Sequence, residues 1–325
     1  MMKLQPAEIL VLKSGWLTTI QDLGRHGHQH YGVSVSGAMD SFSMIVANRL
    51  VGNPDQTAIL ELTLKGPELQ FEQDTVVAIT GADLSPTLDN RNVPMWRSML
   101  IPRGGQLRFG VPRAGTRAYL SIAGGIDVPL VLGSRATHCA SETGGLHGRP
   151  LKQGDVLRGG KPAPLITQPI GTELPAPLRP CYERSATLRI IPGPQQMFFK
   201  KHSLTTLTQA HYTVSPQSNR MGYRLAGSKI AQKDTASFIS DGTATGSLQV
   251  PSDGQPILLM ADRQTTGGYP KIAVVISADL PLAAQLAPGD RIRFVLCTVA
   301  QAQRLLRIQH AQLDVALPPC DRHYT

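Results

Sequence analysis

The chain has 325 residues, 41% of them hydrophobic and 17% charged, which is a globular balance with room for two domains of ordinary size. Its formal charge is +9, but the basic residues form no run of five and aromatics are only 5%, which argues against a nucleic-acid platform. With 31 glycines and 25 prolines, many turns and hence a β-rich fold are expected. The four cysteines, Cys139, Cys181, Cys297 and Cys320, make no Cys-x-x-Cys pair and lie at no zinc-ligand spacing, which is the usage of a reducing cytosol. The first apolar run, residues 9–12, is too short for a signal-peptide core. No stretch approaches the roughly 20 apolar residues of a membrane span, so a cytoplasmic protein is expected.

Along the chain, residues 39–51 read as a helix, with Phe42, Ile45, Val46 and Leu50 on one stripe and Gly52-Asn53-Pro54 as its stop. Strands are expected at 75–80 and 117–123. In the second, Ala118, Leu120 and Ile122 alternate with Arg117, Tyr119 and Ser121, as one buried face requires. Segments 105–109, 154–157 and 289–294 each read as a glycine turn feeding a strand, and the first and last echo one another across the two halves. Residues 159–179 hold five prolines and little hydrophobic pattern. This divides the chain into a first domain at 1–160, a proline-rich linker at 161–185 and a second domain at 186–325. In the second half a strand is expected at 187–191, and a helix from Pro194 burying Met197, Phe198 and Leu204. A terminal helix opens on the capping box Thr298-x-x-Gln301, with Leu305, Leu306 and Leu313 inward. The sum is mainly β with a few covering helices.

Between the apolar runs 256–261 and 272–276 lies Asp262-Arg263-Gln264-Thr265-Thr266-Gly267-Gly268-Tyr269-Pro270. A hairpin needs only a short turn, so this polar connection exceeds what closure demands. Asp262 could be a general base if burial raised its pKa. Gln264 both donates and accepts, which suits an amide ligand, and Thr265 and Thr266 can donate to a carbonyl or phosphate oxygen. The bland alternative is a long polar turn held by its own side chains. In Gln21-Asp22-Leu23-Gly24-Arg25, Arg25 can grip a carboxylate with two bonds, or Asp22 and Arg25 can pair and pin the turn. Ser218-Asn219-Arg220-Met221-Gly222 offers a second such arginine, Arg220. His26, His28 and His30 alternate and could share a strand face, but no carboxylate follows at a telling distance, and no metal site is expected. There is no Gly-x-x-x-x-Gly-Lys-Ser/Thr loop, no Gly-x-Ser-x-Gly elbow and no Met-Lys-Met-like biotinylation site.

These motifs and others in the same order resemble one family. They are Thr18 through Arg25, Gly37-Ala38-Met39-Asp40, Ala47 through Asn53, Leu60-Glu61 and Gly124-Gly125-Ile126. Leu132-Gly133-Ser134, Gly144-Gly145 with Gly148-Arg149, Pro192-Gly193-Pro194, the 218–222 segment, Gln249-Val250-Pro251 and the 262–270 loop complete the set. Over roughly residues 9–296 the chain resembles the bacterial 5-oxoprolinase C subunits, also described as KipA-like or allophanate-hydrolase subunit 2. An Asp often stands in that family where this chain has Asn219. The resemblance implies two linked cyclophilin-like β-barrel domains with a few covering helices. It further implies one subunit of an ATP-dependent 5-oxoprolinase, which opens 5-oxo-L-proline to L-glutamate. Its partners would be a LamB/YcsF-like A subunit together with a KipI-like B subunit. ATP would be a co-substrate of the complex, with no biotin and no metal on this chain. On this reading Arg25 or Arg220 holds the substrate carboxylate, Asp262 is the base, and Gln264, Thr265 and Thr266 orient amide or phosphate oxygens. Gln21, Asp22, Ser218, Gly267 and Gly268 complete the substrate-binding set. Two other classes stay open: a KipA-like non-catalytic antagonist of a KipI-type kinase inhibitor, and half of a biotin-dependent carboxyltransferase of the urea-carboxylase type.

Overall fold

The computed structural model describes residues 5–162, 169–233 and 239–320. They form two compact units. The first takes the described parts of Met1–His26, Ser36–Cys181 and Ala311–Thr325, and the second takes Gly27–Val35 and the described parts of Tyr182–His310. Two short segments therefore depart from a division made along the chain: 27–35 belongs to the second unit, and the end of the last helix to the first. Proline content marks only the main crossing of the chain, so it is blind to such exchanges. Within that crossing, residues 163–168 lie outside the described residues.

The first unit contains β1 (Glu8–Lys13), β2 (Leu17–Gln21), β3 (Ile59–Thr63), β4 (Glu68–Phe71), β5 (Thr75–Asp83) and β6 (Thr87–Leu88). It continues with β7 (Arg91–Asn92), β8 (Ser98–Ile101), β9 (Gln106–Arg108), β10 (Ala114–Ile122) and β11 (Val156–Arg158). They assemble into a six-stranded sheet, β11-β1-β4-β9-β6-β7, and a five-stranded sheet, β2-β3-β10-β5-β8. One apolar core is shared by both sheets. Ile9, Val11, Leu69, Phe71 and Leu107 come from the first, and Leu60, Leu62, Val77, Ile79, Ala118 and Leu120 from the second.

β10 alternates as its sequence requires, but both of its faces are buried: Tyr119 and Ser121 are 0% exposed. The reason is α1 (Ser41–Leu50), which covers the outer face with Met44 and Ala47 against Ile59 and Tyr119. The helix is therefore buried nearly all round rather than along one stripe, and Ile45 is only half-buried. Asp40 caps it by accepting from the Ser43 N–H at 2.9 Å. The Tyr119 hydroxyl ties that start to the sheet, accepting from the Asp40 N–H at 2.8 Å and donating to Glu61 at 2.8 Å. Burial holds the Tyr119 phenol well above its usual range, so it stays a neutral donor. The other end of the helix is tied by Asn53. Its amide donates to the Ile122 carbonyl at 2.7 Å and to the Ser121 hydroxyl at 3.2 Å, and its oxygen accepts from the Gly124 N–H at 2.8 Å.

The second unit contains β12 (Ser185–Pro192), β13 (His211–Val214), β14 (Gly222–Ala226), β15 (Asp241–Gly242) and β16 (Ser247–Gln249). β17 (Ile257–Leu259), β18 (Thr266–Gly267), β19 (Lys271–Val275) and β20 (Arg291–Leu296) complete it. Seven of these close a barrel in the order β12-β19-β16-β17-β14-β13-β20, with β12 and β20 parallel. Leu188, Ile190, Tyr212, Leu248, Leu258, Ile272, Ile292 and Phe294 are all buried at 0% exposure. The expected helix at Pro194 is displaced. A 3-10 turn, Gln196–Phe198, comes first, and α2 (Ser203–Gln209) follows. The shift changes the buried set: Met197 is 66% exposed, while Phe199 and Leu207 are buried. After α3 (Leu280–Ala284) comes the terminal α4 (Val299–Ala316), opened by the expected box. The Thr298 N–H donates to Gln301 Oε1 at 2.8 Å, and the Gln301 N–H donates to Thr298 Oγ1 at 3.2 Å. Leu313 is buried, and Leu305 and Leu306 are half-buried. Among the described residues no helix is long and apolar enough to cross a membrane.

Two outcomes follow for stability. Asn53→Ala leaves the half-buried Gly124 N–H unpaired and removes one of the two donors to the Ile122 carbonyl, which keeps the Gly125 N–H at 2.9 Å, so urea unfolding of the full chain should show a loss of about 1–2 kcal/mol. The second concerns Asp155, whose two oxygens each accept from Arg149 at 2.8 Å. Arg149 holds the carboxyl below its ordinary value of 3.8. A depressed folded-state pKa contributes stability above the unfolded value and loses it as pH falls through the folded one. The gap in Tm between wild type and Asp155→Asn should therefore be full at pH 7 and close below about pH 4.

Candidate functional site

In the first unit, Gln21, Asp22 and Arg25 lie at the end of β2 and just beyond it, and the chain locks all three into its own loops. Arg25 is 1% exposed, with Nε donating to the Val131 carbonyl at 2.8 Å and Nη2 to the Ala136 carbonyl at 2.9 Å. Asp22 accepts from the Gly24 N–H at 2.8 Å, the Ser134 hydroxyl at 2.7 Å and the Arg135 N–H at 2.6 Å. Gln21 is 0% exposed and donates to Thr19 at 3.0 Å and to the Thr137 carbonyl at 3.1 Å. These residues clamp the 131–137 loop onto the end of β2. The glycine motifs serve the same packing. A Cβ on Gly144 would lie 2.1 Å from the Ala136 carbonyl oxygen and 2.7 Å from Arg25 Nη2. Gln21, Asp22 and Arg25, expected to bind substrate, are here engaged by the chain's own loops, with the Arg25 guanidinium buried on loop carbonyls. The first unit does carry a polar cleft of about 660 Å³ just beyond α1, lined by Asp55, Gln56, Thr57, Asp127, Arg135 and Lys161. None of the candidate site residues lines it.

The three histidines do not share a strand face. Residues 29–31 form a 3-10 turn between left-handed glycines, with Gly27 at φ 88° and Gly32 at φ 81°. His26 bonds the Leu23 carbonyl at 3.0 Å in the first unit, whereas His28 and His30 belong to the second.

The polar connection of the second unit is not a hairpin loop. β17 and β19 both pair antiparallel with β16, on its two sides, so they run parallel to each other. Parallel strands cannot be joined by a turn, and the chain must return to the other end of β16. That accounts for the length of the connection. It does not account for its chemistry. On the return, β18 pairs with β15 as a small ribbon, Asp241 opposite Gly267 and Gly242 opposite Thr266. Thr243 fastens the ribbon, its N–H donating to the Thr265 carbonyl at 2.9 Å and its hydroxyl to the Gln264 carbonyl. Lys271, 2% exposed, donates to Asp241 at 3.0 Å and to the Gly242 carbonyl at 2.8 Å. That bond holds the Asp241 carboxyl below its usual range. Gln195 donates to the same carboxylate at 2.8 Å.

Asp262 and Arg220 meet each other. Arg220 Nε lies 2.8 Å from Asp262 Oδ2 and Nη2 lies 3.0 Å from Oδ1, with both residues buried. The Asp262 N–H also donates to the Arg220 carbonyl at 2.9 Å. Asp262, expected as a base, and Arg220, expected as a carboxylate grip, here neutralise each other in a two-pronged buried pair. Ser218 is likewise engaged, its hydroxyl accepting from the Arg224 N–H at 3.1 Å. The remaining loop residues are different. Gln264 and Thr266 are exposed and Thr265 is half-buried, and their side chains bond no described residue. Gly267 is required by packing, because a Cβ there would lie 2.2 Å from Gln249 Nε2. Gly268 is exposed, and a Cβ would meet only Ser240 Oγ at an ordinary 3.6 Å.

One residue of this loop escaped sequence reasoning. Arg263 is 6% exposed, and its side chain makes a single hydrogen bond among the described residues, Nη1 to Thr245 Oγ1 at 2.6 Å. Its Nε is buried without an acceptor. Burial lowers its basicity, and among the described residues no carboxylate offsets this. In sequence, Arg263 stands beside Asp262 and looks satisfied by it. The carboxylate is instead taken by Arg220, 42 positions away. Removing one partner of the buried pair should be costly. Asp262→Asn should destabilise the full chain by about 3–5 kcal/mol in urea unfolding, and the double variant Asp262→Leu/Arg220→Met should recover most of that loss.

The chain matches the carboxyltransferase domain, subdomains A and B, over residues 31–296. It is 40% identical over 306 residues to the 5-oxoprolinase C subunit of Escherichia coli, covering 94% of this chain and 96% of the relative. It is 38% identical over 309 residues to the Haemophilus influenzae protein of the same name, covering 94% and 96%. Among solved structures it is similar to the urea amidolyase of K. lactis, with a TM-score of 0.89 and 33% identity. That match covers 100% of this chain, which spans only 21% of the larger enzyme. The chain therefore belongs to the carboxyltransferase-domain family, within the branch of the 5-oxoprolinase C subunits.

Proposed function

We propose that this chain is the C subunit of a cytoplasmic, ATP-dependent 5-oxoprolinase and that the 264–268 segment meets the lactam. Near full-length likeness to two 5-oxoprolinase C subunits carries the reading. The site chemistry agrees with it. A lactam offers one N–H and one carbonyl on the same edge, and the exposed Gln264 amide can answer both. Thr265 and Thr266 add hydroxyl donors for the oxygen on which charge develops. Gly268 lets a small ring approach the backbone closely.

Opening the ring breaks a stable amide C–N bond. ATP supplies the driving force by phosphorylating the amide oxygen, with release of ADP. One water then adds to the ring carbon, the C–N bond breaks as nitrogen takes a proton, and a second water releases phosphate to leave glutamate. The chain has no P-loop, so ATP is a co-substrate of an assembled complex, whose other members are of the KipI-like and LamB/YcsF-like types.

The likeness to urea amidolyase supports a second reading: carboxyl transfer with a biotin carrier supplied by another polypeptide. The two diverge in assay. Co-expressed with the two partner types, the chain should convert 5-oxo-L-proline to glutamate with ATP consumption, and omitting it should abolish turnover. Gln264→Ala should lower kcat/KM by about tenfold, the value of a lost neutral hydrogen bond or two, with Tm unchanged because the side chain is exposed. Turnover only on addition of a biotin carrier, bicarbonate and an amide acceptor would favour the second reading.

A further inference from the structure

Arg263 belongs to the signature loop, yet nothing in the loop's architecture uses its charge. The crossover is held by Arg220–Asp262 on one side and by Lys271–Asp241 with Thr243 on the other. The two nearest carboxylates in sequence and in the ribbon are thereby committed to other cations. Arg263 is nonetheless buried, with one hydroxyl for company and an Nε that has no acceptor among the described residues. A guanidinium in that state is unfavourable in the free protein. It is anchored from behind: its carbonyl accepts from the Ser34 hydroxyl at 3.0 Å, and its N–H donates to the Met260 carbonyl at 3.3 Å. Its neighbours Gln264 and Thr266 face solvent with unengaged side chains.

We propose that Arg263, seated on Thr245, is the oxyanion subsite of this loop, binding a carboxylate or phosphate oxygen of the ligand whose amide faces Gln264. The inference rests on the loop being the substrate site, and it names the ligand class: a small cyclic amide bearing an anionic group. Bound there, the anion supplies the counter-charge that the fold withholds and an acceptor for the orphaned Nε–H. Charge-assisted bonds of this kind are the strong ones. The neutral amide end is left to Gln264 and the threonines, so recognition of the anion and of the reacting bond falls to different side chains.

Calorimetric titration of the full chain, alone and with its partner subunits, tests this with three probes. They are 5-oxo-L-proline, the uncharged lactam 2-pyrrolidinone, and inorganic phosphate. Arg263→Met should weaken 5-oxo-L-proline by about 10–100-fold, leave 2-pyrrolidinone unchanged, and melt at the same temperature as the free wild-type protein or higher. Arg263→Lys should restore only part of the affinity, because the two-pronged grip is lost. If phosphate alone depends on Arg263, the subsite serves the phosphoryl oxygens. A free Arg263→Met protein that melts clearly lower, or that binds both anions as tightly as wild type, overturns the proposal, as does a wild type that binds neither anion. Ring opening at the wild-type rate in Arg263→Met sinks the subsite and spares the proposed function. Arg263-dependent anion binding in a complex that opens no ring does the reverse.

Discussion

The buried pair between Arg220 and Asp262 decides what the second barrel presents at its signature loop. Two charges removed from water need each other, and their two-pronged contact leaves little freedom in either chain segment. It joins the segment leading into β14 to the point where the crossover leaves β17, and a backbone bond between the same two residues doubles the link. From that fixed point the chain must travel back along β16 to reach β19. The ribbon of β15 with β18, the Thr243 bonds and the Lys271–Asp241 contact hold the return path. What is left over is short and polar: Gln264, Thr265, Thr266, Gly268 and the buried Arg263, whose Nε has no acceptor among the described residues.

The first unit solves the same physical problem in another way. Its buried cation, Arg25, is met by carbonyls rather than by a carboxylate, and its buried carboxylate, Asp22, is met by backbone N–H groups and a hydroxyl. Both are satisfied within the loops they organise. The glycines around them permit close packing of backbone on backbone, as at Gly144 against Ala136. The Asp and Arg of this motif are thus accounted for there by packing, although Gln21 Oε1 beside them is buried without a donor among the described residues. The loop of the second unit differs in that its unengaged side chains, Gln264 and Thr266, are exposed.

Similarity to a carboxyltransferase domain and to 5-oxoprolinase C subunits is physically coherent. Both reactions work at an amide or urea-like nitrogen–carbonyl unit, and both need donors placed for an oxygen that gains charge. A barrel with a rigidly fastened polar crossover suits either, because the scaffold sets positions and the loop supplies the chemistry.

Local signals determined much of this protein by themselves. Alternation placed β10, β-type runs marked β5 and β12, the Thr298–Gln301 box placed the start of α4, and the ordered motifs identified the family and marked the 262–270 loop as the residues to watch. These are short-range properties: side-chain period, capping chemistry and turn composition all lie within a few residues. Pairing does not. That β17 and β19 flank β16, that both faces of β10 are buried, and that residues 27–35 belong with the second unit depend on contacts between distant segments. The partners of charged side chains are decided the same way. Asp22 and Arg25 stand three apart yet bond separate groups, and Asp262 passes over its neighbour Arg263 for Arg220. Sequence proximity offers each charge a partner, but only the tertiary structure, by fixing which side chains are buried together and at what distance, chooses one.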